Sequence, residues 1–222
     1  MKIKIAAILL ISLGNPFSAH AGVVMGGTRV IYPQGQRETA FSVTNMDTDS
    51  PYLIQSWIEN IDNHNTSPPP FVVTPSLFRL DAGQKNTLRI SYLGTPLPAD
   101  RESVFWLNIK NIAPAQKANS NKLQINVKSK FKLFYRPEGL KGNPQLAWQQ
   151  LTFSCRGDRL IVRNPTPYFV SFYRLTVGSH DVDAPGMVSP LSERDWRTSC
   201  AGAISWQAIN DFGGVTRPAT QA

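Results

Sequence analysis

The chain has 222 residues, with 23 basic and 15 acidic side chains and a formal charge of +8. This length corresponds to one or two domains. A basic surplus could serve nucleic acid, but no zinc-finger or other nucleic-acid-reading motif occurs, so no such partner is expected. After the first residues, no apolar run approaches the ~20 residues of a membrane span, so no membrane insertion is expected.

The first 21 residues have the pattern of a secretory signal peptide. Lys2 and Lys4 precede a short apolar run, and Ala19-His20-Ala21 is a small-x-small cleavage pattern. We expect removal of residues 1–21 after Ala21, which would place the mature chain outside the cytoplasm and lower its formal charge to +6, because two lysines leave. A buried N-terminal helix is the alternative.

The chain contains two cysteines, Cys155 and Cys200. In an oxidising compartment an even pair predicts a disulfide, although two buried thiols remain the alternative because sequence cannot show that the sulfurs meet. His64 and His180 lie in polar, turn-like stretches. No G-x-S-x-G, H-E-x-x-H or C-x-x-C motif occurs, so no enzyme activity, metal or other cofactor is predicted.

The first half of the mature chain reads as a series of short strands. Period-two alternation, β-branched residues and intervening turns predict strands at residues 23–31, 39–45, 51–58, 71–75, 86–93 and 103–112. Trp57 is expected to be a core anchor. No segment shows a sustained helical period with caps, so the pattern is typical of a β-sandwich.

Residues 123–137 predict a strand about twice the usual length. Alternate positions are apolar or aromatic, namely Leu123, Ile125, Val127, Phe131, Leu133 and Tyr135. Such alternation places these side chains on one face. An over-long strand has an end that its neighbours do not cover, and an unpaired edge invites another chain to pair with it. Lys128 and Lys130 are expected to be solvated and to protect that edge from self-pairing.

A second series of strands follows at residues 146–153, 159–163, 168–177 and 198–209. A proline and two glycines cluster near residues 137–142, which indicates a domain boundary. We therefore predict an all-β protein of two sandwich domains, 22–138 and 139–222.

Several short motifs, in this order and spacing, resemble those of periplasmic pilus chaperones of the chaperone–usher pathway: Thr28-Arg29, 51–58, Thr74-Pro75 with Arg79-Leu80 and Gly83, 100–103, 132–137, 164–168 and 209–214. The resemblance covers the whole mature chain. It implies two immunoglobulin-like domains set at an angle with a cleft between them. It also implies periplasmic capping of pilus subunits by donor-strand complementation and their delivery to an outer-membrane usher.

The resemblance assigns roles to five residues around the long strand. Leu123, Ile125 and Val127 would fill the pockets of a subunit that lacks its last strand. Arg29 and Lys132 would hold that subunit's C-terminal carboxylate through charge-assisted hydrogen bonds. From periodicity alone, the three apolar residues could equally face the protein's own core, and the two cations could be solvated strand residues.

Glu102, Arg136 and Asp211 match the family's charge network between the two domains, which would fix the interdomain angle; three separate surface charges are the alternative. The short loop at 113–122 resembles the short-loop branch of the family. A secreted immunoglobulin-like adhesive or ligand-binding protein is the competing function. Whether the free protein caps itself as a dimer is left open.

Overall fold

The computed structural model describes residues 22–114 and 126–221. They form two immunoglobulin-like β-sandwich domains, so the predicted fold class is confirmed. The predicted signal peptide and the donor-strand residues Leu123 and Ile125 lie outside the described residues. Within the described ranges, no helix has the length and apolar character needed to cross a membrane.

The first domain consists of two packed sheets. One has the strand order β1-β3-β7-β5 and the other β2-β9-β8-β4-β6. The nine strands are β1 Val23–Met25, β2 Arg29–Pro33, β3 Thr39–Asn45, β4 Tyr52–Asn60, β5 Phe71–Thr74, β6 Leu77–Leu80, β7 Lys85–Tyr92, β8 Ser103–Ile112 and β9 Val127–Arg136.

The core of this domain follows the period-two pattern of the sequence. In β4 the side chains of Ile54, Ser56 and Ile58 are buried, which leaves Trp57 half-buried on the opposite face. The prediction of Trp57 as a core anchor is therefore wrong, because register and not side-chain size decides which face is buried. Each fully buried aliphatic side chain stabilises the fold by about 1.5–3 kcal/mol.

The predicted first strand is in fact two strands in different sheets. β1 pairs with β3 antiparallel, whereas β2 pairs with β9 parallel. The chain changes sheets at Gly26-Gly27. A Cβ at Gly26 would lie 2.1 Å from Ser42 Oγ, so a side chain there would collide with β3.

The long strand β9 changes its surroundings along its length. Its odd-numbered face packs into the core, where Leu133 is fully buried and Phe131 contacts Phe41 at 4.9 Å between ring centroids. On the even-numbered face, Phe134 is also buried, with Phe169 of the second domain 5.8 Å away. The second domain therefore covers the C-terminal half of β9 on the face that alternation alone assigned to solvent.

The second domain also has two sheets, with strand orders β10-β11-β15 and β13-β12-β16-β17, and β14 pairs with β12. Its strands are β10 Thr152–Arg156, β11 Arg159–Asn164, β12 Val170–Val177, β13 His180–Asp181, β14 Met187–Val188, β15 Ser192–Arg197, β16 Ile204–Ala208 and β17 Ala219–Gln221.

A 3-10 helix, Pro144–Gln150, replaces the first part of the strand predicted at residues 146–153. Asn143 caps it by accepting a hydrogen bond from Gln145 N at 2.9 Å, and Pro144 occupies its first turn, where its missing N–H costs nothing. These helix-start signals outweigh a short apolar pattern that does not distinguish strand from helix.

Candidate functional site: an open strand edge leading into an interdomain cation pair

One edge of β9 is only partly paired. From Val127 to Tyr135, β9 pairs antiparallel with β8. On the other edge, β2 pairs with residues 132–136 only, beginning with the pair Arg29–Lys132. Within residues 22–114 and 126–221, no strand pairs with that edge at residues 127–131. Backbone donors and acceptors there are available to a strand from another molecule.

Val127 is the one donor-strand residue that lies within the described ranges. It begins β9 and is 50% exposed, so it does not contribute to the protein's own core. The other two, Leu123 and Ile125, lie outside the described residues. Their orientation therefore stays a prediction from the alternation of the sequence.

The lysines of the opposite face are more tightly held than the sequence suggested. Lys128 and Lys130 both form ion pairs with Glu59, at 3.3 and 3.4 Å. Their ammonium groups also lie over the rings of Trp57 and Trp106, at 4.7 and 5.0 Å. Both lysines are solvent-exposed, as expected. In addition, these cation–π and ionic contacts hold the outer face of β9 against β4 and β8.

Arg29 and Lys132 are direct neighbours at the point where the open edge ends. Arg29 Nη1 donates a hydrogen bond to Ile209 O of the second domain at 3.0 Å, and its guanidinium lies 5.7 Å from the centre of the Phe134 ring. Arg29 Nε is buried without a hydrogen-bond partner. Burial lowers the pKa of Arg29, although Asp211 and Glu102 oppose this shift.

Lys132 is a half-buried cation in the same cleft. Its Nζ donates to Ser171 Oγ of the second domain at 3.3 Å. Burial, then the charges of Arg29 and Arg194, lower the pKa of Lys132 to about 8. In the part of the chain that the structure describes, neither Arg29 nor Lys132 has a carboxylate within ion-pair distance. Two partly desolvated cations side by side make a site suited to a carboxylate.

The stability of the free protein should therefore increase between about pH 8 and the unfolded lysine pKa of 10.5. The pKa of Lys132 is lower in the folded chain, so over this range the unfolded chain binds more protons and folding is favoured as the pH rises. After allowance for partial exposure, we expect a gain of about 2 kcal/mol. Urea unfolding of wild type and Lys132→Met should show this rise only in wild type. A Lys130→Met control should retain it, and an equal rise in Lys132→Met would contradict the assignment.

Glu102, Arg136 and Asp211 are brought together between the domains. Arg136 Nε donates to Glu102 Oε1 at 2.6 Å, and its two terminal nitrogens donate to the Asp211 carboxylate at 2.8 and 2.9 Å. The second oxygen of Glu102 accepts from Phe169 N at 2.8 Å, and Gln145 Nε2 donates to Asp211 at 3.0 Å. One guanidinium thus joins strand β9 to the loop after β16.

Burial has different consequences for the two ends of the Arg136–Glu102 pair. Burial raises the pKa of Glu102, whose side chain is 2% exposed, and this outweighs the opposing effect of Arg136. Burial lowers the pKa of Arg136, but its hydrogen bonds and charge interactions with Asp211 and Glu102 outweigh burial and raise it. Glu102 is therefore the member that depends most on its partner for remaining ionised.

Sequence reasoning missed several residues that complete these sites, namely Gln145, Phe169, Ser171, Arg194 and Ile209. Two of them, Phe169 and Ile209, contribute backbone atoms, which leave no signal in side-chain chemistry. The others become neighbours of β9 only through the docking of the second domain.

Cys155 and Cys200 form a disulfide, with their Cα atoms 6.0 Å apart. Cys155 lies on β10 and Cys200 in the segment between β15 and β16. Within the described ranges, no cluster of histidine, cysteine and acidic side chains could hold a metal ion.

Comparison with known proteins identifies the family. A family model described as pili and flagellar-assembly chaperone, PapD N-terminal domain, matches residues 22–141, and one described as pili assembly chaperone PapD, C-terminal domain, matches residues 146–220. The chaperone protein FimB/FhaD of Bordetella pertussis is 42% identical, with 96% of this chain and 92% of the relative covered. The chaperone protein FimC of Escherichia coli K12 is 41% identical, with 89% and 83% covered.

Solved structures agree with these matches. The structure of the Salmonella enterica SafA pilin in complex with the SafB chaperone includes a chain that matches with a TM-score of 0.83 and 35% identity, covering 90% of this chain and 95% of that chain. The E. coli chaperone DraB matches with a TM-score of 0.81 and 37% identity, covering 90% and 98%. With both domains matched and relatives above 40% identity along most of its length, the chain belongs to the PapD family of periplasmic pilus-assembly chaperones and is not an enzyme.

Proposed function

We propose that this chaperone caps a pilus subunit by lending it the N-terminal part of its long strand. One observation carries the proposal: the unpaired edge of β9 at residues 127–131 ends at two cations, Arg29 and Lys132, which have no carboxylate partner within the described ranges. An edge without a strand and a cation pair without an anion together suit an extended peptide that ends in a carboxylate.

The donated segment supplies backbone hydrogen bonds and alternate apolar side chains at once. Period-two alternation would place Leu123 and Ile125 on the same face as Val127, which is half-exposed in the free protein. Burial of each in a subunit pocket would contribute about 1.5–3 kcal/mol, before the costs of association.

The cation pair fixes the register of the donated strand. Arg29 can bind a carboxylate bidentately, and Lys132 acts as a point charge. When the subunit's chain end is held at this place, the strand cannot slip by one residue, which would turn the wrong face toward the subunit's groove. The charge network of Glu102, Arg136 and Asp211 holds the two walls of the cleft together, and in this proposal it fixes the interdomain angle.

The wider assignments follow from the resemblance and remain part of the proposal. Residues 1–21 are removed after Ala21, and the mature chain works in the periplasm as domains 22–138 and 139–222. It delivers capped subunits to an outer-membrane usher, and its short loop before the donated segment assigns it to the short-loop branch. The SafB chaperone, seen with the SafA pilin, supports the subunit partner. In the free protein, the same open edge could pair with a second copy.

Periplasmic co-expression with a pilus subunit tests the proposal. Lys132→Ala should reduce the subunit recovered with the chaperone about 10- to 100-fold, because the chain end loses a charge-assisted contact. Ile125→Asp should have a similar effect, because a carboxylate would enter an apolar pocket. The amount of subunit that co-purifies with the tagged chaperone is measured.

Matched controls come from the same strand. Lys130→Ala removes a lysine two residues away, outside the cleft, and Gln124→Asp places a carboxylate on the opposite side of the alternation. Both should leave subunit recovery nearly unchanged. If Lys132→Ala leaves subunit recovery as high as Lys130→Ala does, the proposal is wrong. If Ile125→Asp lowers the chaperone's own melting temperature instead of subunit recovery, the assignment of Ile125 to a donor strand is wrong.

A further inference from the structure

Arg194 is a cation of the second domain that the family motifs in the sequence did not mark. It lies on β15 and is half-buried. One of its terminal nitrogens, Nη1, donates to Met187 O at 2.8 Å, and its guanidinium lies 5.2 Å from the centre of the Trp196 ring. A Cβ at Gly186 would lie 2.7 Å from Nη1, so the guanidinium packs directly against the backbone of 186–187.

This position brings Arg194 close to Lys132 across the domain boundary. Met187, whose carbonyl accepts from Arg194, pairs in register with Ser171. Ser171 Oγ in turn accepts from Lys132 Nζ at 3.3 Å. Lys132 of the first domain and Arg194 of the second domain thus contact Ser171 and Met187, which are paired on neighbouring strands. The charge of Arg194 is also one of the causes, after burial and Arg29, of the lowered Lys132 pKa.

Arg194 differs in its charge balance from two other arginines of its sheet. Arg159 and Arg197 have carboxylate partners in Asp195 and Asp158. Arg194 has none within ion-pair distance in the described part of the chain. A half-buried cation beside two further cations is electrostatically costly unless an anion binds among them.

We propose that Arg194 is a third cation of the carboxylate anchor, so that the anchor is built from both domains. Arg29 and Lys132 contact the terminal carboxylate. Arg194 attracts the carboxylate electrostatically, without direct contact. The inference rests on the proposed function. It adds that binding of a chain end depends on the second domain, and hence on the docking that Arg136 maintains.

Peptide binding tests this assignment directly. The probe is a labelled synthetic peptide of about 12 alternating apolar and polar residues, long enough for one strand, with either a free C-terminal carboxylate or a C-terminal amide. At about pH 6.5, below the Lys132 pKa, Arg194→Gln should weaken binding of the carboxylate peptide about three- to tenfold at low salt and less at high salt. Binding of the amide peptide should not change.

Two further variants separate charge from structure. Arg163→Gln removes the same charge from an exposed position on neighbouring strand β11 and should leave both affinities unchanged. Arg194→Lys keeps the charge and should restore most of the preference for carboxylate. Loss of binding to both peptides in Arg194→Gln would mean that Arg194 only supports the local fold, and the inference would be overturned.

The Lys132 pKa is an independent readout, measured by NMR titration of labelled lysine side chains. Arg194→Gln should raise it, because a neighbouring positive charge is removed; an unchanged value overturns the inference. If Lys132→Met itself fails to abolish the preference for carboxylate over amide, the proposed anchor is wrong. If Lys132→Met abolishes this preference but Arg194→Gln does not reduce it, the anchor of Arg29 and Lys132 is retained, and the assignment of Arg194 as a third cation is wrong.

Discussion

Replacing Arg136 with methionine is expected to destabilise the protein by about 3–5 kcal/mol, because the change leaves a buried carboxylate without its partner. Glu102 is 2% exposed at its side chain and Asp211 21%, so Glu102 carries most of this cost. Methionine keeps much of the aliphatic volume of arginine, which separates loss of charge from loss of packing. Urea unfolding at neutral pH measures the difference.

The pH dependence of this destabilisation identifies Glu102 as its source. The pKa of Glu102 is raised in the folded protein, so its contribution to stability is greatest below the unfolded pKa of 4.5 and is lost as the pH rises through the folded value. Without Arg136 the folded pKa rises further. The cost of Arg136→Met should therefore be smaller near pH 5 than near pH 8.

Arg174→Met is the matched control, since it breaks a bidentate pair with Asp181 in which both side chains are more than half exposed. Its cost should be a small fraction of the cost of Arg136→Met, because both charges of the exposed pair are hydrated whether or not they are paired. If Arg136→Met costs no more than Arg174→Met, the interdomain network does not hold the buried carboxylate in the way described.

Removal of the disulfide with Cys155→Ser and Cys200→Ser together should cost about 4 kcal/mol at 25 °C. The bond closes a loop of 45 residues, and the chain-entropy relation gives a value of this size. The bond joins β10, one edge strand of the three-stranded sheet, to the segment after β15, the other edge strand. Chemical denaturation of the oxidised wild type and the double variant measures the effect.

Reduction provides the internal control for the disulfide. Treatment with a thiol reductant should bring the wild type close to the stability of the double variant, while the variant should not respond. Free thiols titrated in denatured, unreduced protein, or equal stability of wild type and variant, would contradict a disulfide that stabilises the second domain.

Much of the fold could be predicted because its signals are local. Alternation places β3 and β8 at the predicted bounds, 39–45 and 103–112. The misses have local explanations as well. A sheet change at Gly26-Gly27 divides one predicted strand into β1 and β2, and the cap at Asn143 begins a helix where a strand was expected. β6 has only four residues and shows no alternation, and β15 is almost entirely polar, so neither carries a strand pattern.

Only part of the candidate site could be predicted from the sequence. Motif resemblance selected Arg29, Lys132, Glu102, Arg136 and Asp211, and the structure places them in the cleft between the domains. It could not select Ser171 or Arg194, because their relevance arises from the docking of two domains. Burial of Phe134 on a nominally polar face has the same origin, since period-two reasoning considers one sheet and not its neighbour.

In the proposed complex, the position of the cation pair along β9 would set the direction of the bound subunit's C-terminal strand. β2 begins at Arg29, directly opposite Lys132, and continues alongside β9 toward Arg136. A subunit strand that occupies the vacant edge and ends with its carboxylate at these cations must also run parallel to β9. It would lie end to end with β2, so that the last residue of one protein abuts the first residue of a strand in the other. The two segments would then occupy a single strand position beside β9, with a chain break where the two molecules meet.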